Sequence, residues 1–115
     1  MNDTKQSKHI KRIAQLNDLC RTAMGLGSRF FQTPGICALP QEEQSAIREK
    51  VECFKDFNKD NDPYGERDFG AFEHNGKRIF FKIDYYALDM KQGSEDPSDP
   101  KQTIRVLTIM LAEEY

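Results

Sequence analysis

The dipeptide Asn75-Gly76 constrains this chain more than any other feature, because it separates two strand-like runs, Phe69 to His74 and Lys77 to Tyr86. Asn-Gly tolerates positive φ at both central positions of a type I′ turn, whose twist matches that of two paired strands. A two-residue turn also fixes the register, so His74 faces Lys77 and each earlier residue faces its mirror image. Phe72, Ile79, Phe81 and Ile83 then share one face. The other face sets Glu73 opposite Arg78, Ala71 opposite Phe80, Phe69 opposite Lys82 and Arg67 opposite Asp84. Both charge pairs are complementary, which supports the register and predicts a cross-strand ion pair between Arg67 and Asp84.

The rest of the chain is read around this hairpin. Ile10, Ile13, Asn17, Cys20 and Met24 recur at helical spacing with Leu16 beside them, and Gly25 and Gly27 follow as a stop, so a first helix is predicted over roughly 6–24. Arg29 to Thr33 reads as a short strand, Thr33-Pro34-Gly35 as a turn, and Ile36 to Leu39 as a second short strand. Pro40 suits a first helical position, Glu42 and Glu43 suit the helix dipole, and Ile47, Val51 and Phe54 repeat at helical spacing, so a second helix ends near Phe54 to Phe57. Thr103 to Leu111 is apolar enough for a central strand buried on both faces. The expected fold class is α+β, an antiparallel sheet of about four to five strands with two helices packed on one face. The whole chain, 1–115, reads as a single domain with residues 1–5 as a mobile tail.

Size agrees with one core and not two. Leu, Ile, Val and Phe supply 25 of the 115 residues, just above the roughly one-fifth below which chains tend to stay disordered. No apolar run approaches the roughly 18 residues of a membrane span, and the polar N-terminus gives no signal-peptide pattern. Cys20, Cys37 and Cys53 are odd in number and form no CxxC pair, which favours small buried, reduced thiols in a cytoplasm over a disulfide framework or a zinc site with His9 or His74.

The net charge of −2 excludes a generally basic nucleic-acid binder. A local basic excess remains at Lys5, Lys8, Lys11 and Arg12. It reads as a solvated helical turn or, alternatively, as a DNA-binding arm of a regulator, although four charges are few for that task. Asp56, Asn58, Asp60 and Asp62 alternate as the first ligands of a calcium loop do, but Asn61 stands where glycine is needed and Arg67 where a bidentate Glu should be. Turn-capping side chains are the expected role. Glu66, Asp68 and Asp84 do not all share a face of the hairpin, which argues against a paired-carboxylate acid/base site. Neither histidine looks buried or placed beside a cysteine nucleophile, and Gly25-Leu26-Gly27 lacks the remainder of a phosphate-binding loop.

Several phrases carry a resemblance: Leu16-Asn17-Asp18, then Asn61-Asp62-Pro63-Tyr64-Gly65-Glu66-Arg67-Asp68-Phe69-Gly70, Lys82-Ile83-Asp84-Tyr85-Tyr86, Ser94-Glu95-Asp96-Pro97-Ser98-Asp99-Pro100, and the closing stretch from Thr103 to Tyr115. Over nearly the whole chain these resemble domain-of-unknown-function family 3768, small single-domain bacterial proteins. The resemblance implies a cytoplasmic protein, often carried on plasmids or other mobile elements, and implies no activity. One departure matters. The family phrase has His after the Glu, where this chain has Arg67, a residue that neither titrates near neutrality nor binds metals.

These observations lead to the expectation of a non-catalytic interaction protein without a cofactor. Its partner would be a protein with a basic surface, such as a nucleic-acid-handling complex, and its most concrete form a mobile-element inhibitor of restriction or CRISPR interference. The binding surface is expected at Tyr64, Glu66, Asp68, Asp96 and Asp99, in acidic loops studded with aromatic residues. The rival reading is a metal-dependent or small-ligand-binding module using the loop carboxylates. Direct nucleic-acid or membrane binding is not expected, and a homodimer is compatible with the sequence.

Overall fold

A computed structural model describes residues 5–23 and 28–115. The expected helix stop at Met24 to Gly27, and all but the last residue of the expected tail 1–5, lie outside the described residues. Helix α1 spans Lys5–Ala23, strand β1 Arg29–Gln32, helix α2 Pro34–Cys37, helix α3 Gln41–Glu52, strand β2 Phe69–His74, strand β3 Lys77–Tyr86 and strand β4 Ile104–Leu111. A short 3₁₀ turn over Ala112–Glu114 closes the chain.

The hairpin has the expected register throughout, from His74 opposite Lys77 to Phe69 opposite Lys82. Asn75 and Gly76 take φ of 49° and 77°, the two positive values that a type I′ turn requires. Strand β4 lies between β3 and β1, as its apolar composition anticipates, and the strand order is β1-β4-β3-β2.

The α+β class holds, with one correction: the sheet is mixed. β4 runs antiparallel to β3 but parallel to β1, Arg29 matching Val106 and Gln32 matching Ile109. A second correction concerns Ile36 to Leu39, which supply no strand. Pro34 opens a single turn of helix instead, because its fixed φ suits the first helical position and the Cys37 N–H closes onto the Thr33 carbonyl at 2.9 Å. Pro40 is the N-cap of α3 and not its first residue.

Alternation sorts the strand residues into two faces. Ile79, Phe81, Ile83, Leu107 and Ile109 point to the helical side and close a core with Cys20 of α1, Ile36 of α2, and Ile47 and Val51 of α3. Gly70 lies under the Phe81 ring, where a Cβ would come within 2.3 Å of ring carbon Cε2. The 87–103 loop returns to the same side, since the Arg105 guanidinium donates to the Pro97 carbonyl.

Three side-chain expectations are corrected. Arg67 does not meet Asp84. It turns away from the hairpin in the left-handed region, at φ 58°, and bonds Asp18 of α1, while Asp84 pairs with Lys82 on its own strand at 3.0 Å. Of the cysteines only Cys20 is buried; Cys37 and Cys53 fall at helix ends, which bring them to the surface. His74 is buried rather than exposed, because α3 packs over the hairpin end: Lys50 Nζ lies 3.2 Å from Nδ1 and the Glu43 carboxylate 3.6 Å from Nε2.

Candidate functional site

The phrases picked out along the sequence meet at one end of the molecule, between α1, the loop leading into β2, and the ends of β3 and β4. Asn17 is the hub. It occupies a core-facing position of α1 and is fully buried, so each of its polar atoms needs a partner. Its Nδ2 donates to the Glu66 carbonyl at 2.9 Å and to the Tyr85 hydroxyl at 2.7 Å. Its Oδ1 accepts from Arg105 Nε at 2.7 Å. Tyr85 in turn donates its own proton to the Glu66 carboxylate at 2.8 Å.

Arg105 is only 4% exposed, inside an otherwise apolar strand, and its guanidinium lies 5.1 Å from the Tyr85 ring centre. Burial lowers its pKa, and the nearby Tyr85 and Glu66 offset that in part. Burial likewise raises the Tyr85 hydroxyl, reinforced by its hydrogen bond to Glu66, so it stays a neutral donor at physiological pH.

A second arginine extends the cluster. Arg21 is buried and donates to the carbonyls of Val51 and Phe54 and to Asp18 at 2.6 Å. Asp18 uses its other oxygen for Arg67 at 2.7 Å, so one carboxylate bridges two guanidinium groups. The Phe57 ring lies near both, with centroid distances of 5.1 Å to Arg21 and 5.6 Å to Arg67. A cleft of about 380 Å³ opens beside this arrangement, lined by Asp18, Arg21, Lys55, Phe57 and Arg67 among others.

The acidic loop beside the cluster is held by its own side chains. Asn58 Oδ1 accepts the N–H groups of Asp60 and Asn61, Asn61 Oδ1 accepts that of Asn58, and Asp62 Oδ1 accepts that of Arg67. Asn58 and Asp62 thus take the turn-capping role expected of the alternating Asx residues, joined by Asn61 between them. Among the described residues, no group of three His, Cys, Asp or Glu is arranged to hold a metal ion.

The five residues expected to form the binding surface divide. Glu66 points its carboxylate inward to Tyr85. Asp96 accepts the N–H and hydroxyl of Ser98, and Asp99 the N–H of Lys101 and the amide of Gln102, so both carboxylates shape the 94–102 loop. The bonds to Gln102 and Lys101 hold Asp99 below the usual carboxylate range. Tyr64 is 77% exposed. Asp68 is half-buried, and burial pushes its pKa up, with the charges of Glu66, Asp62 and Asp84 acting in the same direction.

Asn17, Arg21 and Arg105 were not anticipated as site residues. The available signal was an Asn inside the apolar stripe of α1 and an Arg inside the apolar run of β4, both costly to bury without partners.

Fold and site together define a two-layer α+β domain with a buried Asn–Tyr–Glu–Arg network beneath an acidic loop. The chain belongs to the family described as protein of unknown function (DUF3768), which matches residues 32–114. That span holds Glu66, Tyr85 and Arg105, whereas α1, which brings Asn17, precedes it. No curated protein and no solved structure matches the chain.

Proposed function

We propose that this chain is a non-catalytic interaction module that docks a basic protein surface on the edge formed by its 56–68 loop. The observation that carries the reading is Asp68. Burial raises the pKa of this half-buried carboxyl, and the charges of Glu66, Asp62 and Asp84 act in the same direction, so a cation brought by a partner favours its ionised form. Between residues 56 and 68 five carboxylates stand against Lys59 and Arg67. Tyr64 adds an exposed ring of the kind enriched at interface centres. The network beneath, anchored through Glu66, fixes the loop before binding and so reduces the ordering cost of association.

The partner chemistry that fits is a groove rich in Lys and Arg, as in complexes that handle nucleic acid. An inhibitor of restriction or CRISPR interference, encoded on a mobile element, is the concrete form. Asp96 and Asp99 serve this surface through the shape of their loop.

The test is a pull-down of the tagged chain from its native host's lysate, with and without nuclease, repeated with Asp60→Lys/Asp68→Lys. A stoichiometric protein that survives nuclease and is lost with the double variant supports the proposal. Equal recovery by the variant removes the acidic edge from the reading. Recovery only without nuclease points instead to nucleic acid and the basic residues of α1.

A further inference from the structure

Asp18 is one carboxylate shared by two guanidinium groups. Its Oδ1 accepts from Arg21 Nη2 at 2.6 Å and its Oδ2 from Arg67 Nη1 at 2.7 Å. With Glu52, Lys55 and Phe57 these side chains line the cleft of about 380 Å³ between α1, the segment that follows α3 and the loop leading into β2. That volume lies at the lower end of small-molecule sites, which run from roughly 300 to 1,000 Å³. Three cations, Arg21, Lys55 and Arg67, stand against two anions, Asp18 and Glu52, in a chain whose net charge is −2.

The donors of this cleft are not used up, because two guanidinium groups offer more N–H groups than one carboxylate can take. Arg21 is 3% exposed and spends Nη1 on the Val51 and Phe54 carbonyls and Nη2 on Asp18. Its Nε is buried with no hydrogen-bond partner among the described residues, an arrangement that native interiors rarely keep. The Arg67 guanidinium makes one side-chain bond among the described residues, to Asp18, and the residue is exposed. Its backbone sits in the left-handed region at φ 58°, where the Asp62 carboxylate holds its N–H at 3.0 Å. A non-glycine residue seldom adopts that region, and strain of this kind collects at ligand clamps. Here it carries the guanidinium off the hairpin and into the cleft wall.

We propose that this cleft binds a small organic carboxylate with an aromatic body. One uncompensated cation calls for one negative charge, and a guanidinium matches a carboxylate in planar, two-bonded geometry. A phosphate ester brings about two negative charges, which Asp18 and Glu52 in the same wall oppose. The ligand takes Arg67, with Lys55 as the second cation. Its arrival frees Asp18 to turn both oxygens to Arg21, where Nε and Nη2 form one edge, and so supplies the acceptor that Nε lacks. The Phe57 ring centre lies 5.1 Å from the Arg21 guanidinium and 5.6 Å from that of Arg67. A ligand ring therefore meets aromatic carbon and a guanidinium plane together. The site uses the cations of the cleft and not the carboxylates proposed for docking, so either reading can fail alone.

The test is a ¹H–¹⁵N correlation titration of the full chain with sodium benzoate at fixed ionic strength, beside acetate, benzamide and inorganic phosphate. A ligand this small should bind with a Kd of about 1 mM. Saturable shifts are expected at the Asp18, Lys55 and Arg67 amides, with a downfield move of the Arg21 Nε–H as Asp18 reaches it. Acetate, which lacks the ring, and benzamide, which lacks the charge, should each bind at least about fivefold more weakly. Lys55 and Arg67 are both exposed, so Lys55→Gln and Arg67→Gln should keep the wild-type circular dichroism. Each should weaken benzoate at least about fivefold. No saturable shift with benzoate overturns the proposal, as does equal binding of acetate or benzamide, or wild-type affinity in both folded variants. Tighter binding of phosphate overturns it in favour of a phosphate site. An Arg21 Nε–H that stays in place while benzoate binds overturns the exchange at Asp18.

Discussion

Replacing Asn17 by Leu removes the hub of the buried network without opening a cavity, because the two side chains share one branched heavy-atom skeleton and Leu is the bulkier. Three partners lose their bond. Arg105 Nε, almost wholly buried, loses a charge-assisted acceptor at 2.7 Å, which is worth about 1.5–3 kcal/mol. The Glu66 carbonyl loses its donor at 2.9 Å, about 1 kcal/mol. Tyr85 keeps its own donation to Glu66 and loses only an incoming bond, so its share is smaller. The expected destabilisation is about 3–4 kcal/mol, within the roughly 6–17 kcal/mol that a chain of this length commands. Urea unfolding should show a lower midpoint with an unchanged slope, since the surface exposed on unfolding is the same. In a thermal scan the loss corresponds to a fall on the order of 12–16 °C. Adding Tyr85→Phe in a double-mutant cycle should show coupling of about 1 kcal/mol, because the two residues touch. A loss below about 1 kcal/mol for Asn17→Leu, or additivity with Tyr85→Phe, would refute the claim that these polar atoms depend on one another.

Four further outcomes follow from the same geometry. Gly70→Ala should cost at least about 1–3 kcal/mol by denaturant unfolding, because the new methyl overlaps the buried Phe81 ring and also reaches Phe54. Asp68→Asn should raise the melting temperature at neutral pH. The folded-state pKa of Asp68 lies above its ordinary value of 3.8, so ionising it lowers stability as pH rises through that interval; the variant's advantage should vanish at lower pH, where the wild-type carboxyl is also neutral. An aromatic disulfide reagent should label Cys37 and Cys53 rapidly and Cys20 only on unfolding, because burial both shields that thiol and raises its pKa. Calcium or magnesium at millimolar concentration should leave the melting temperature within about 1 °C, since Asn58, Asn61 and Asp62 already serve as backbone caps; a larger rise would restore the metal-binding reading.

The hairpin was legible residue by residue, because turn chemistry and side-chain alternation act over two to ten positions and need no distant partner. The central place of β4 was legible for a similar reason: only a strand flanked on both sides tolerates so apolar a run. The parallel pairing of β1 with β4 was not legible. It joins residues more than 70 positions apart, and four residues of β1 carry no mark of direction. Arg67 shows the same limit within the site. Alternation alone put it opposite Asp84, but the ladder ends at the Ile83 N–H bonded to the Asp68 carbonyl, and the left-handed turn at Arg67 redirects the side chain to Asp18 on a helix 49 residues away.

The site divides along the same line. Sequence alone determined that the 56–68 loop is acidic, turn-rich and aromatic, and that the chain's Leu, Ile, Val and Phe suffice for one core. These follow from residue type and local spacing. Tertiary structure decided how each carboxylate is used: Glu66 is drawn inward by Tyr85, Asp96 and Asp99 shape their own loop, and Asp68 is half-buried, which raises its pKa. It also decided that Asn17 and Arg105, 88 positions apart, satisfy each other across the core. A buried polar atom must find its partner wherever the folded chain supplies one, and that location is a property of the fold rather than of any local stretch of sequence.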